Sequence, residues 1–189
     1  DKDERRYEAF EKRFGDKTAA RRCASLEECL AADADICIIA VPAYFHCDYA
    51  ILAMKAGKHV LSEKPFDLDM KKIARLGETA KACGCKLAVG HQYHNFRNIH
   101  SLKTMFENDM LGRPAVLRFS DQRIRRIKTA MHDAQFGNCG PMMDMSCHFI
   151  DIMRWCFDSK PVKVTARMYT YVQEDDTYYA GIERRAPDT

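Results

Sequence analysis

No run of about 18 apolar residues occurs in the 189-residue sequence, so nothing in it reads as a membrane span. Charge of one sign is also missing. Thirty Lys and Arg against 27 Asp and Glu leave +3, too little to call for a nucleic acid or an acidic membrane surface as partner. No signal-peptide pattern is visible. Cysteine is plentiful but does not pair up: nine is an odd number, and residues such as Cys37 and Cys156 sit in apolar surroundings. That argues against a disulfide framework and for reduced thiols in a reducing, cytoplasmic compartment. The close pair Cys83-Gly84-Cys85 lacks partner ligands at metal-site spacing and reads as a helix end. What is present, 47% hydrophobic and 30% charged residues, suits one large globular domain or two small ones.

Apolar residues at Tyr7, Phe10 and Phe14 predict a first amphipathic helix over Asp3 to Phe14, ended by Gly15. Ser25-Leu26-Glu27-Glu28 is a capping-box pattern opening a short helix to about Leu30. The continuous apolar run from Ile36 to Val41 predicts a strand buried on both faces. Helices over about Cys47 to Ala56 and Asp69 to Ala82 alternate with strands at His59 to Leu61 and Lys86 to Val89. Two successive crossover units of this kind imply a parallel sheet, and ligands sit beyond the carboxyl ends of such strands. There stand Pro42-Ala43-Tyr44-Phe45-His46, Ser62-Glu63-Lys64-Pro65 and Gly90-His91-Gln92-Tyr93-His94, three clusters able to donate, accept or transfer protons. Beyond Arg97 the pattern changes. A helix over about Asn98 to Asn108, a strand Ala115 to Ser120, a helix Pro141 to Phe157, a strand Val162 to Val172 and a further strand within Asp176 to Arg184 suggest a mixed sheet with helices on one side. The expected class is α/β: a partial Rossmann-type parallel sheet over residues 1–93, then a partial α+β domain with a mixed or antiparallel sheet over 94–189.

The helix from Pro141 carries the densest chemistry. At about 100° per residue, Met142, Met145, Phe149, Ile152 and Cys156 form an apolar stripe, and Asp144, His148, Asp151 and Trp155 form a separate row. Pro141 suits the first helical position, and Asp144 in the first turn suits the helix dipole. The row has two readings: a buried polar network that satisfies itself, or a general acid/base in which a carboxylate one turn away tunes a histidine dried by methionines. Lys64 follows a strand end and precedes Pro65, which biases it toward extended backbone. Its alternatives are a snorkelling surface lysine or a group that orients a substrate hydroxyl. The basic stretch Arg123 to Lys128 has no interleaved aromatics, so a solvated strand end or loop comes first and neutralising an acidic substrate second, ahead of a nucleic-acid contact. Metal chemistry through His91, His94 and His148 matches no standard spacing, and no metal is expected.

Together these residues resemble the Gfo/Idh/MocA family of nicotinamide-dependent oxidoreductases. The resemblance runs through Ala40-Val41-Pro42 with His46, through Ala56-Gly57-Lys58-His59-Val60-Leu61-Ser62-Glu63-Lys64-Pro65, through Val89-Gly90-His91 with Tyr93 and Arg97, and ends at Asp144, His148 and Asp151. It implies a Rossmann domain binding NAD or NADP and a second α/β domain holding a sugar, cyclitol or related polyol. It also implies Lys64 as the catalytic lysine, a peptide bond before Pro65 that is often cis, His148 as proton acceptor and Asp144 as its support. Asp1, Val41, Pro42, His46, Glu63, Lys64 and Gln92 would lie along the cofactor. Tyr93, Arg97, Asp144 and His148 would line the substrate. Asp151, a turn further along the helix, reads as a structural partner that orients the histidine or caps a buried contact. Ala43 stands where asparagine is common, and Ser146 where glycine is common. No G-x-G-x-x-G turn occurs. The chain therefore reads as an internal fragment of a dehydrogenase of about twice its length, a homo-oligomer when whole. A rival reading keeps the fold and drops the chemistry: a non-catalytic sensor of a dinucleotide or sugar.

Overall fold

In a computed structural model, which describes residues 3–121, 142–167, 169, 178–179 and 182–183, the three apolar runs pair as a parallel sheet. Its strands are β1 (Ile36–Ile39), β2 (His59–Ser62) and β3 (Leu87–Val89), in that order across the sheet. Ile39 lies opposite Ser62, and Ser62 opposite Val89. This register brings the three carboxyl ends to one level, so the segments that follow them share an edge. The crossovers are α3 (His46–Lys55) and α4 (Met70–Ala82). Asp69 caps α4 by accepting a hydrogen bond from the Lys71 backbone at 2.8 Å. Gly57 (φ 77°) and Gly84 (φ 63°) take the left-handed conformation that turns the chain from each helix into the next strand. Cys83-Gly84-Cys85 is thus the end of α4, and the Cys85 thiol donates to the Met54 carbonyl at 3.5 Å.

The helices α3 and α4 pack on each other, and α3 also packs on β1 and β2. Cys47, Ala50, Ala53, Met54, Val60, Leu76 and Ala80 are buried there, and the small alanines let α3 approach closely. The expectation that β1 is buried on both faces is corrected. Ile39 is 3% exposed, whereas Ile36 and Ile38 are 60% and 70% exposed. Successive strand residues face opposite sides, and among the described residues only one side is covered.

The chain divides into two compact units, Asp1–Ala34 and Asp35–Thr189. In the first, α1 (Glu4–Phe14) starts at Asp3, whose carboxylate accepts from the Arg5 backbone at 3.1 Å. Gly15 does not end it with a left-handed turn: its φ is −55°, and the chain runs on into a 3-10 turn, Gly15–Lys17. The capping box opens α2 (Leu26–Ala31). Ser25 Oγ accepts from the Glu28 backbone at 3.2 Å, and the Glu28 carboxylate accepts from the Ala24 backbone at 2.6 Å.

In the second unit, α5 (Arg97–Glu107) and α6 (Cys147–Phe157) pack together, and α6 buries Ile152 and Cys156. The segment predicted to be one helix from Pro141 has two parts, because Met142–Ser146 is a wider π-helical turn leading into α6. The strand expected over Ala115 to Ser120 forms no ladder among the described residues, nor does the described part of Val162 to Val172. Extended chain needs a partner to become sheet, and Val116, Val162 and Val164 are largely exposed. The single strand expected within Asp176 to Arg184 is instead a short antiparallel pair, β4 (Tyr178–Tyr179) with β5 (Ile182–Glu183). Asp1, Arg123 to Lys128 and Pro141 lie outside the described residues.

Candidate active site

The carboxyl edge of the sheet and the turn leading into α6 meet at an ion pair. Lys64 leaves β2 two residues after Ser62, through a cis Lys64–Pro65 peptide. Its ammonium donates to Asp144 Oδ1 at 2.8 Å and also to the Asp144 backbone carbonyl. The two side chains are only 12% and 22% exposed, so the lysine is held in place rather than snorkelling. Asp144 lies in the π-helical turn, where residue spacing differs from that of an α-helix. Its carboxylate pairs with Lys64 and also acts, more weakly than Lys64 does, on the His148 ring.

His148 is buried at 2% exposure. Its environment pushes its pKa below the ordinary 6.5, first by desolvation, then by the positive charge of Lys64 and by His91; Asp144 and Glu63 oppose this more weakly. The ring stacks on Tyr93, with centroids 4.6 Å apart and planes 12° apart, and meets His91 edge-on. His148 Nδ1 is 3.4 Å from His91 Nδ1. That leaves Nε2 as the ring atom available to a substrate. A buried imidazole kept neutral beside an anchored ammonium can accept a proton from a hydroxyl that the ammonium polarises.

Asp151 forms its hydrogen bond and ion pairs with His94 and His91 rather than with His148. Its Oδ2 lies 2.5 Å from His94 Nε2 and 3.7 Å from His91 Nδ1. His94 stacks on Trp155 at 4.3 Å, and Lys103 holds the Trp155 carbonyl at 2.8 Å. The sequence placed His91 and His94 in the cluster after β3 but gave them no partner, because the turn Gln92–Asn95 next to His91 packs against α6 only in three dimensions. Among the described residues no group of three or more His, Cys, Asp or Glu is arranged to hold a metal ion.

His46, expected along the cofactor, is held by protein groups at both ring nitrogens. It is 2% exposed, and its two ring nitrogens lie 2.7 Å from the Val41 carbonyl oxygen and 2.6 Å from that of Pro65. It therefore clasps the end of β1 to the loop that carries Lys64. Val41, Pro42, Glu63 and Gln92 stay exposed beyond the strand ends, and the Glu63 carboxylate folds back to 3.4 Å from where a Cβ on Gly90 would stand. An open edge with backbone and side-chain polar groups fits the nicotinamide end of a dinucleotide. Tyr93 faces the site through its stack on His148, whereas Arg97 is exposed at the opening of α5.

Residues 1–91 match the oxidoreductase family with an NAD-binding Rossmann fold (Gfo/Idh/MocA), and residues 99–187 match the Gfo/Idh/MocA C-terminal domain. The chain is 27% identical over 173 residues to glucose-6-phosphate 3-dehydrogenase of Bacillus subtilis, covering 88% of this chain and 48% of that protein. It is 30% identical over 130 residues to myo-inositol 2-dehydrogenase of Thermotoga maritima, covering 69% and 38%. The crystal structure of the WlbA dehydrogenase of Chromobacterium violaceum with NADH and UDP-GlcNAcA matches with 27% identity and a TM-score of 0.64, over 82% of this chain and 46% of that one. The chain thus spans about half the length, or less, of the relatives it matches. No helix among the described residues is long and apolar enough to cross a membrane.

Proposed function

Since the chain belongs to the Gfo/Idh/MocA oxidoreductase family, we propose that the whole protein transfers a hydride between a nicotinamide cofactor and a secondary alcohol of a sugar, cyclitol or related polyol. The carrying observation is the anchored Lys64 ammonium beside a buried histidine whose pKa is held down, both on the carboxyl edge of a parallel sheet. Lys64, held by Asp144, donates a hydrogen bond to the reacting hydroxyl and stabilises negative charge developing on its oxygen. His148 Nε2 takes the hydroxyl proton as the C–H bond gives up its hydride, so the alcohol leaves as a ketone. A bound nicotinamide would supply the hydride acceptor. Val41, Pro42, Glu63 and Gln92 would border that ring, while the His46 clasp keeps the Lys64 loop against β1. Tyr93 is the shelf that fixes the His148 ring plane. Dehydrogenases of a sugar phosphate and of an inositol among the relatives support a polyol substrate.

Division into a dinucleotide-binding domain over 1–93 and a substrate domain over 94–189 belongs to the same proposal, supported by the two family matches on either side of residues 92–98. So does a cytoplasmic location, supported by eight free cysteines among the described residues. The exposed valines of the extended segments support assembly with further copies. The test is reduction of NAD or NADP by the whole protein over a panel of sugars and cyclitols. Lys64→Ala and His148→Ala should each cost about 10²–10⁴ in turnover. Wild-type turnover in both variants overturns these roles. Tight nucleotide binding with no turnover on any polyol overturns the enzyme reading in favour of a sensor.

A further inference from the structure

His148 is buried, so a proton it takes from a substrate needs an exit. The structure offers one contact for it. His148 Nδ1 and His91 Nδ1 are 3.4 Å apart, close enough for one proton to lie between them. On the far side, Asp151 Oδ2 is 3.7 Å from the same His91 nitrogen and 2.5 Å from His94 Nε2. Exposure rises along this line: 2% for His148, then 22% for the His91 side chain and 31% for that of Asp151. A buried base, a partly exposed second imidazole and a somewhat more exposed carboxylate stand in that order, and the polyol chemistry described above does not itself require the last two.

We infer that His91 and Asp151 form a proton relay that drains the proton from His148 to solvent. The inference rests on the dehydrogenase reading for its direction, though not for the shared proton itself. In the resting state His148 carries its proton on Nδ1 and donates it to the lone pair of His91 Nδ1, which leaves His148 Nε2 free to accept. When Nε2 takes the hydroxyl proton, the Nδ1 proton passes to His91. His148 is again neutral, now with its proton on Nε2, and His91, holding both ring protons, gives one of them to water and returns to neutral. The N–H bond lost at His148 Nδ1 is the one formed at His91 Nδ1, and no electrons change hands. Asp151 is the counter-charge for the cation so made, with His94, clamped on Trp155, donating to the same oxygen and fixing it in place. Reduction of a ketone runs the steps backward.

Among the described residues, the charged and titratable groups facing this pair are Lys64, Glu63, Asp144 and the stacked Tyr93 on the side of His148, and Asp151 and His94 on the side of His91. Lys64 opposes a second positive charge on His148 itself, which favours moving it outward to His91. Here Asp151 is a positioning residue: it reaches the reacting atoms only through His91.

Nitrogen-15 NMR of the imidazoles in the chain, without cofactor, tests the shared proton first. A trans-hydrogen-bond coupling between His91 Nδ1 and His148 Nδ1 is expected, with the His148 proton on Nδ1 at neutral pH. His91→Phe should shift His148 toward a mixture of tautomers, while its Tyr93 stacking shifts persist. A His148 proton on Nε2 in the wild type, or an unchanged tautomer in His91→Phe, overturns the relay whether or not any polyol is turned over. In the whole protein, Asp151→Asn should lower kcat for alcohol oxidation about tenfold with KM within about twofold, and should shift its pH profile. Asp151→Glu should restore part of the rate. Loss of KM and kcat together with a normal pH profile would mark Asp151 as merely structural and overturn its role.

Discussion

Replacing Asp144 by asparagine separates what the structure assigns to this residue from what helical spacing alone assigns to it. The amide keeps the size of the side chain and leaves the backbone carbonyl in place, but it removes the charge that sits 2.8 Å from Lys64 Nζ. At an effective dielectric of about 20, the gross attraction of two unit charges at that distance is about 6 kcal/mol. Desolvating side chains that are only 12% and 22% exposed takes back much of it. Exposed pairs contribute below about 1 kcal/mol, and one-sided removal of a fully buried partner costs about 3–5. Between these limits, the coupling energy of Lys64 with Asp144 should be about 1.5–3 kcal/mol. The assay is a double-mutant cycle of Asp144→Asn and Lys64→Met in urea unfolding, followed by the fluorescence of Trp155, the single tryptophan. A parallel cycle of Asp144→Asn with His148→Gln should give a smaller coupling, below about 1 kcal/mol, because Asp144 ranks behind burial, Lys64 and His91 in its effect on that ring. Additivity within about 0.5 kcal/mol in the first cycle, or a larger coupling in the second, would refute the reasoning and restore the carboxylate–histidine pair that the row on the helix suggests.

His148 makes stability depend on pH. Its folded-state pKa is depressed below 6.5, so the unfolded chain binds the proton first as pH falls. Its contribution is therefore fully present above about pH 6.5 and is lost as pH drops toward the folded-state value. Urea midpoints between pH 5 and 8 should fall less steeply on the acid side for His148→Gln than for the wild type. Ile152, fully buried in α6, should cost about 2–5 kcal/mol when cut to alanine, a loss of roughly 5–20 °C in Tm for a chain of this size. Thermal unfolding checks it; a shift below about 2 °C would mean that α6 is not seated as described.

Much of the architecture was legible because it depends on local pattern. Ile36 to Ile39, His59 to Ser62 and Leu87 to Val89 stand out as strands, and Asp69, Gly57 and Gly84 mark where α4 begins and where two helices give way to strands. Residues placed just past three parallel strands must share an edge, so Lys64, His91 and Tyr93 could be grouped from their positions along the chain. Legibility stopped at neighbours distant in sequence. Lys64 and Asp144 are 80 positions apart, and His91 and His148 are 57 apart; no periodicity relates them. The exposed face of β1 was missed for the same reason, since an apolar run does not say what covers it.

The sequence by itself determined the parallel sheet and the edge its strand ends share, because strand period, helix caps and turn glycines act within a few residues, and it marked Lys64, Asp144 and His148 as candidates. Only the tertiary structure decided who pairs with whom. Asp144, in the π-helical turn, pairs with Lys64, and the turn Gln92–Asn95 next to His91 packs against α6. Ion pairs and proton contacts follow distances of about 3–4 Å, which packing sets and spacing along a helix does not.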